Sequence, residues 1–474
     1  MPRQFDEQAY KKTWYCGSLD FEALWEDYPP APHYLRLVHA LSRDELHHRQ
    51  EQRFLVQMAR GWEIEFYRRH WSSKGLQPGD IRGLEDLAKI PPYTVYDLRD
   101  SIARSPPWGD YLGIDFDHDD PMPLILQTSG GTTGLPRAML YSPRDREVMN
   151  ILNGRRFYMA GMRPFDRVQV TLSLGLGNGG FSAREGVWKY SGAIPIMTGS
   201  GTHTPTRRQI EIAKAWKTNF LIGFPAYVRH MGMVARDELK LDPTEFGMKG
   251  LLLHLGVDNR QAIEELWQAP VYDCYGTNES GMIACDCEHR SGMHMMEDAF
   301  AFEIVDHETL APVAEGTRGT VLLTSLFKHV APVIRFNTHD VSAVVPGQCA
   351  CGGTHRRLER IFGRSDSMIK LRGVNVFSEA IGEVISGDRR CNGEYVCIVE
   401  RVDNSGRDEM TVMVERADAE ADSSRIAADL AVRLKEAVGV KLTLKIVNPG
   451  ELDRWTGLTQ TSKVKRVIDR RATS

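Results

Sequence analysis

Along the first part of the chain, to about residue 115, apolar positions recur at helical intervals. Phe54, Leu55, Met58, Trp62 and Phe66 form one such stripe, the spacing of a packed helix. Ser42-Arg43-Asp44-Glu45 precedes it with the form of a capping box, in which the serine and the glutamate satisfy each other's backbone amides. This region is therefore predicted to be mostly helix. From Pro121 the pattern changes to short continuous apolar runs. Val168–Leu172, Asn219–Gly223 and Gly250–Leu255 read as buried strands, with a helix over Arg207–Lys217 between two of them. Such alternation predicts mixed sheets with helices on their faces, an α/β architecture. After Arg364 the pattern changes again. Glu394–Val399 and Glu409–Val414 predict a strand pair joined by Asp403-Asn404-Ser405-Gly406. A helix from about Ser424 to Val438 follows, with Ile426, Leu430, Leu434 and Val438 on one face and Gly439 to end it, then a strand over Lys441–Val447. The expectation is a large N-terminal domain, residues 1–364, and a small, mobile α+β lid, residues 365–474, with the boundary near Asp366.

The chain has 474 residues, 59 basic against 63 acidic, for a net charge of -4. That balance points away from a nucleic-acid partner. No apolar run approaches the roughly 20 residues of a membrane span, and Met1–Glu7 lacks the apolar core of a signal peptide. Eight cysteines in so long a chain do not make a disulfide framework. A cytoplasmic enzyme acting on small molecules is expected, with a homodimer left open.

The run Thr128-Ser129-Gly130-Gly131-Thr132-Thr133-Gly134-Leu135-Pro136-Arg137 places three glycines and four hydroxyls between two apolar segments. Glycine lets backbone amides approach an anion, and successive N–H groups in a turn form a cationic nest. The loop is suited to polyphosphate. It is not a Walker A loop, which would need a lysine opening the following helix.

This run resembles the phosphate loop of the adenylate-forming superfamily, and further motifs follow in that family's order. They are Tyr275-Gly276-Thr277-Asn278-Glu279, then Gly319–Leu326, then Arg335-Phe336-Asn337-Thr338-His339-Asp340. The hinge-like Gly363–Phe377 and the terminal Ser462-Lys463-Val464-Lys465-Arg466-Val467 complete the set. The Arg372-Gly373-Val374-Asn375-Val376-Phe377 signature is most similar to the phenylacetate-CoA ligase-like members. The resemblance implies that ATP activates a carboxylic acid as an acyl-adenylate, which coenzyme A then takes up. It implies Lys463 as the catalytic cation, with Lys465 as the alternative register, and Glu279 as a Mg²⁺ ligand. Nucleotide would be held by Thr128 to Gly134, Gly276 and Thr277, with Tyr275 stacked on adenine. Asp340 would accept from the ribose hydroxyls, and Arg364 would hold ribose or phosphate oxygens at the hinge. Asp366 would be the pivot of domain rotation. Arg137 stands where the family often has lysine, which leaves its role open.

Leu174, Phe181, Phe224 and Gly256 are the expected walls of a flat apolar pocket for an aromatic acid. Arg184 and Lys189 are either readers of a polar ring substituent or surface charges. Gly175-Leu176-Gly177-Asn178-Gly179-Gly180 satisfies the dinucleotide fingerprint but lacks the acidic residue about 20 positions on. A glycine-lined pocket wall is the preferred reading. Two cysteine loops suggest a closed structural Zn²⁺ site of Cys287, His294, Cys349 and Cys351, with Cys285 and His289 as substitute ligands and free buried thiols as the alternative. Other readings keep the adenylation and change the acceptor to a carrier-protein thiol or an amine, as in F390 synthetases. A last one is a non-catalytic, zinc-stabilised ATP-binding protein.

Overall fold

The computed structural model describes residues 11–117, 121–128, 137–367, 369–372, 374–402, 407–458 and 464–471. Its N-terminal part is helical as expected. The long helix Arg43–Glu63 carries both bonds of the capping box: Glu45 N donates to Ser42 Oγ at 3.3 Å, and Ser42 N donates to Glu45 Oε2 at 2.9 Å. The apolar stripe spans two helices rather than one. Backbone at Ile64 is extended, and Phe66 belongs to the next helix, Glu65–Ser73. Leu55, one position round from Phe54, is left exposed, while Phe54, Met58 and Phe66 join Tyr67, Trp71 and Tyr93 in an aromatic core.

Strands β1 (Ile125–Thr128) and β2 (Ala138–Tyr141) form an antiparallel pair on either side of the glycine-rich loop. The next strands are β3 (Arg167–Val170), β4 (Ile194–Met197), β5 (Phe220–Gly223), β6 (Gly250–Leu253), β7 (Val271–Thr277), β8 (Gly281–Cys285) and β9 (Met293–Met295). Then come β10 (Phe300–Val305), β11 (Gly319–Ser325), β12 (Phe336–Ser342), β13 (Val344–Val345), β14 (Arg357–Leu358) and β15 (Gly363–Arg364). Among the described residues nine of these make one sheet in the order β13-β14-β9-β8-β7-β6-β5-β3-β4. From β4 to β7 the pairing is parallel, and beyond β7 it is antiparallel. Parallel strands covered on both faces must be apolar on both. That is why Phe220–Gly223 and Gly250–Leu253, buried along their whole length, read as continuous apolar runs. The second sheet, β10-β11-β12-β15, is antiparallel.

Residues 369–471 build a separate sheet and core. After the hairpin β16 (Ile369–Leu371) and β17 (Val374–Val376) come β18 (Cys391–Val402), β19 (Arg407–Arg416), β20 (Thr443–Val447) and β21 (Val467–Asp469), arranged β20-β19-β18-β21. Helices Ser378–Ser386 and Ser423–Val438 pack Ile381, Ile385, Leu430 and Leu434 against Val399 and Val412. Gly439 ends the second helix in the left-handed conformation at φ 73°, which favours glycine. Among the described residues no helix is long and apolar enough to cross a membrane.

Candidate functional site

The nucleotide-like motifs meet beside the carboxyl end of β7, the last parallel strand of the large sheet, and open α/β sheets bind ligands outside the carboxyl ends of their strands. Thr128 is buried at the end of β1, its amide bonded to Leu176 O at 2.8 Å. Ser129, Gly130, Gly131, Thr132, Thr133 and Gly134 lie outside the described residues, as does Lys463. Tyr275, Gly276 and Thr277 end β7, and the turn into β8 carries Glu279. A side chain at Gly276 would meet Gly281 O at 2.6 Å, so this tight turn requires glycine. Tyr141, at the end of β2, donates to Asn278 O at 2.6 Å and fixes the turn from the phosphate-loop side.

A chain of polar contacts then runs across the sheets. Tyr275 OH donates to Asp340 Oδ2 at 2.6 Å, and Arg364 Nη1 donates to Asp340 Oδ1 at 3.3 Å. Arg364 also grips Asp366 with two bonds of 2.8 Å. Burial opposes ionisation of Asp366, but this fork holds its carboxyl below the usual range. The same burial, with Asp340 beside it, pushes the Tyr275 phenol well up.

Two cations near Glu279 were not assigned from the sequence. Arg137, at the exit of the glycine-rich loop, is ion-paired with Glu279, and its side chain is only 5% exposed. Lys328 is buried, with its ammonium 4.1 Å from the centre of the Tyr141 ring. Burial pulls its pKa to about 8, with Asp145 opposing. The available signal was a lysine standing in the apolar run Leu326–Val330.

Leu174, Phe224 and Gly256 lie in the segments leaving the carboxyl ends of β3, β5 and β6, three adjacent parallel strands. Phe224 faces His254 with ring centres 5.9 Å apart, and burial, then Arg156, pulls the His254 pKa to about 3. This neutral imidazole was also not assigned from the sequence. Phe181 lies on the helix Asn178–Tyr190, under the Arg184 guanidinium. Asn178 opens that helix, so the last glycines of the fingerprint-like run are helical. Gly180 packs so closely that a side chain there would meet Ser173 O at 2.7 Å. Lys189 lines a cavity of about 290 Å³ together with Tyr15, Tyr141, Arg146 and Glu185, but is ion-paired with the buried Glu147.

The ligand atoms of Cys287, His294, Cys349 and Cys351 all lie within 4.8 Å of one another. Cys287 and Cys349 Sγ are 3.7 Å apart, and Cys351 Sγ is 3.4 Å from His294 Nε2. A zinc tetrahedron with Zn–S of about 2.3 Å and Zn–N of about 2.0 Å requires S–S near 3.8 Å and S–N near 3.5 Å. The donor set and its spacing therefore fit a closed Zn²⁺ site. The glycine knuckle supports it, since Gly353 N donates to Cys351 Sγ at 3.4 Å. Neither substitute ligand belongs to this cluster. Cys285, the cross-strand partner of both Cys274 and His294, is buried in the main core, and His289 sits beside the exposed Glu288. His39, with Nε2 3.8 Å from Cys351 Sγ, is an outer neighbour brought in from the N-terminal helices.

A model of the AMP-binding enzyme C-terminal domain matches residues 373–471. The chain is 30% identical over 453 residues to the phenylacetate-coenzyme A ligase of Escherichia coli, covering 92% of this chain and 97% of that one. Against the protein of the same name from Thermus thermophilus it is 28% identical over 461 residues, covering 92% and 98%. Among solved structures, 2-hydroxyisobutyryl-CoA ligase in its postadenylation state with 2-HIB-AMP aligns with a TM-score of 0.80 at 28% identity, covering 95% of this chain and 92% of that one. The same ligase in its thioesterification state, with 2-HIB-AMP and CoA, gives 0.66 at 29% identity, covering 91% of each. The arrangement described here is thus closer to the postadenylation state. The chain belongs to the adenylate-forming superfamily of AMP-forming acid–thiol ligases, in its phenylacetate-CoA ligase-like branch.

Proposed function

We propose that this protein activates an aromatic carboxylic acid with ATP and transfers the acyl group to coenzyme A, releasing pyrophosphate and AMP. The carboxylate oxygen attacks the α-phosphorus and pyrophosphate leaves. The coenzyme A thiolate then attacks the acyl carbon and AMP leaves. Two anions meet in the first step, so positive charge must be focused on the α-phosphate. Lys463 is assigned that task, bridging carboxylate and phosphate oxygens, and the Thr128–Gly134 loop holds the phosphates. Glu279 would hold a Mg²⁺ ion, which supplies charge neutralisation at the phosphates. Arg137, ion-paired with Glu279, holds that carboxylate in place. Tyr275 backs the adenine, Asp340 accepts from the ribose hydroxyls, and Arg364 holds them from the hinge side.

The observation that carries this reading is the unbroken line from Tyr275 through Asp340 and Arg364 to Asp366. It ties the nucleotide residues to the assigned pivot, where the chain divides into units 1–364 and 365–474. Rotation there would withdraw Lys463 after adenylation and admit coenzyme A. The aromatic acid is supported by the Phe224–His254 ring pair beyond β5 and β6, and by the relatives named as phenylacetate ligases. Zinc on Cys287, His294, Cys349 and Cys351 would tie β9 to the segment between β13 and β14 and take no part in the reaction. The test is pyrophosphate release with ATP, Mg²⁺ and coenzyme A over a panel of aryl and arylacetic acids, with mass detection of products. One acid-dependent acyl-CoA is expected; release without an acyl-CoA would move the acceptor to an amine or a carrier protein.

A further inference from the structure

A group of four charged side chains stands where the 369–471 unit meets the body of the protein. Arg229, on the helix Pro225–Met233, donates through Nη2 to Glu394 Oε1 at 2.8 Å. Glu394 is also gripped by Arg466, at 2.8 Å and 3.1 Å. On the other side Arg229 Nη1 lies 3.7 Å from Asp258. The side chains of Arg229 and Glu394 are only 10% and 6% exposed. Local backbone is shaped for the contact. The β18–β19 register shifts between Cys391 and Tyr395, and Gly393 within that shift has φ 85°. A side chain at Gly393 would stand 2.2 Å from Arg229 Nη1, and the positive φ there also favours glycine. Asn259, next to Asp258, adds one bond to Ser386 O at 2.8 Å.

The charge arrangement has an unusual property. Arg229 with Asp258 is a neutral pair within the body, and Arg466 with Glu394 is a neutral pair within the C-terminal unit. Separating the units breaks the Arg229–Glu394 bond but strands neither charge without a counter-ion. Breaking a buried ion pair is costly mainly when one partner is left uncompensated. This contact is therefore firm when closed and can be released at moderate cost. The cross-unit pair Arg389–Glu265, 3.6 Å apart with the arginine 89% exposed, can contribute little by comparison.

We infer that Arg229 and Glu394 are positioning residues which dock the C-terminal unit for adenylation through a releasable ionic joint. The inference rests on the proposed two-step reaction for its purpose, but its structural content can be tested apart from any substrate. Spin labels would be placed at Lys214→Cys and Glu436→Cys, both exposed on helices of the two units, in a Cys16→Ser background that removes the exposed native thiol. Interdomain distances are then measured by pulsed dipolar spectroscopy on the full chain. Losing a hydrogen bond between charged groups should lower the ratio of docked to undocked molecules roughly tenfold in Arg229→Gln and in Glu394→Gln. Arg229→Lys, which keeps the charge and loses the fork, should fall between them and the parent, and Arg389→Gln should match the parent. With phenylacetate as the probe, ATP–pyrophosphate exchange should fall by a similar factor, while transfer from supplied phenylacetyl-adenylate to coenzyme A is undiminished. Distance distributions unchanged in both Gln variants would overturn the inference, and so would equal losses in the two half-reactions. If the parent does not turn over phenylacetate, the substrate reading fails and the distances alone decide the joint.

Discussion

Removal of zinc from the cysteine–histidine cluster tests the structure at its most quantitative point. The 3.7 Å and 3.4 Å separations lie within about 0.1 Å of a zinc tetrahedron's edges. Folding already brings the four donors within 4.8 Å of one another, so metal binding should appear largely as stability. At free zinc about 1,000-fold above the dissociation constant, linkage gives about 4 kcal/mol. For the unit 1–364 that holds the cluster, this is about 5 °C in melting temperature. The assay is elemental analysis of protein purified under reducing conditions, followed by thermal melting with and without a strong chelator. One zinc per chain and a chelator-induced fall of several degrees are expected. Cys349→Ser should lose both, whereas Cys285→Ser should keep its zinc, because that thiol is buried in the core outside the cluster. Absence of zinc with an unchanged melt, or loss of zinc in Cys285→Ser but not in Cys349→Ser, would refute the assignment.

Other substitutions separate the remaining roles. Lys463→Ala should abolish adenylation yet leave supplied acyl-adenylate able to react with coenzyme A; simultaneous loss of both half-reactions would show that the lysine has been given the wrong task. Asp340→Ala should raise KM for ATP roughly 10- to 100-fold, from the loss of charge-assisted bonds to ribose, with KM for the acid little changed. Asp273, buried on β7, has its pKa raised to about 7 by burial, then by Asp286. Its raised folded-state pKa means that its stabilising contribution is complete at acidic pH and is lost as pH rises through 7. Asp273→Asn should therefore melt higher than the parent at pH 8, with the advantage shrinking toward pH 5; an advantage independent of pH would exclude this cause.

Much of this was legible in the chain because it depends on local order. Serine followed three positions later by glutamate produced the capping box at Ser42. Strands covered on both faces announced themselves as unbroken apolar runs at Phe220–Gly223 and Gly250–Leu253. The cysteine–histidine cluster was recognisable from short cysteine spacings, with His294 rather than His289 as its histidine, and strand β9 carries His294 inward. What escaped reading depends on pairs remote in sequence. Arg137 meets Glu279 across 142 positions, and Arg229 meets Glu394 across 165. Nothing in the helical stripe marked the extended residue Ile64 that splits it, and a lone lysine at 328 gave no hint of the Tyr141 ring beneath it. Several of these contacts join separate sheets, since β2, β7 and β11 belong to three of them, and no strand pairing announces them.

The central claim is that the acid's carboxylate attacks the α-phosphorus of ATP. Turnover of carboxyl-¹⁸O-labelled phenylacetate with ATP and coenzyme A, read by mass spectrometry of the nucleotide, addresses it directly. Phenylacetyl-CoA is expected, with one ¹⁸O carried into AMP. Label found in inorganic phosphate alongside ADP, or thioester formed with unlabelled AMP, would contradict it.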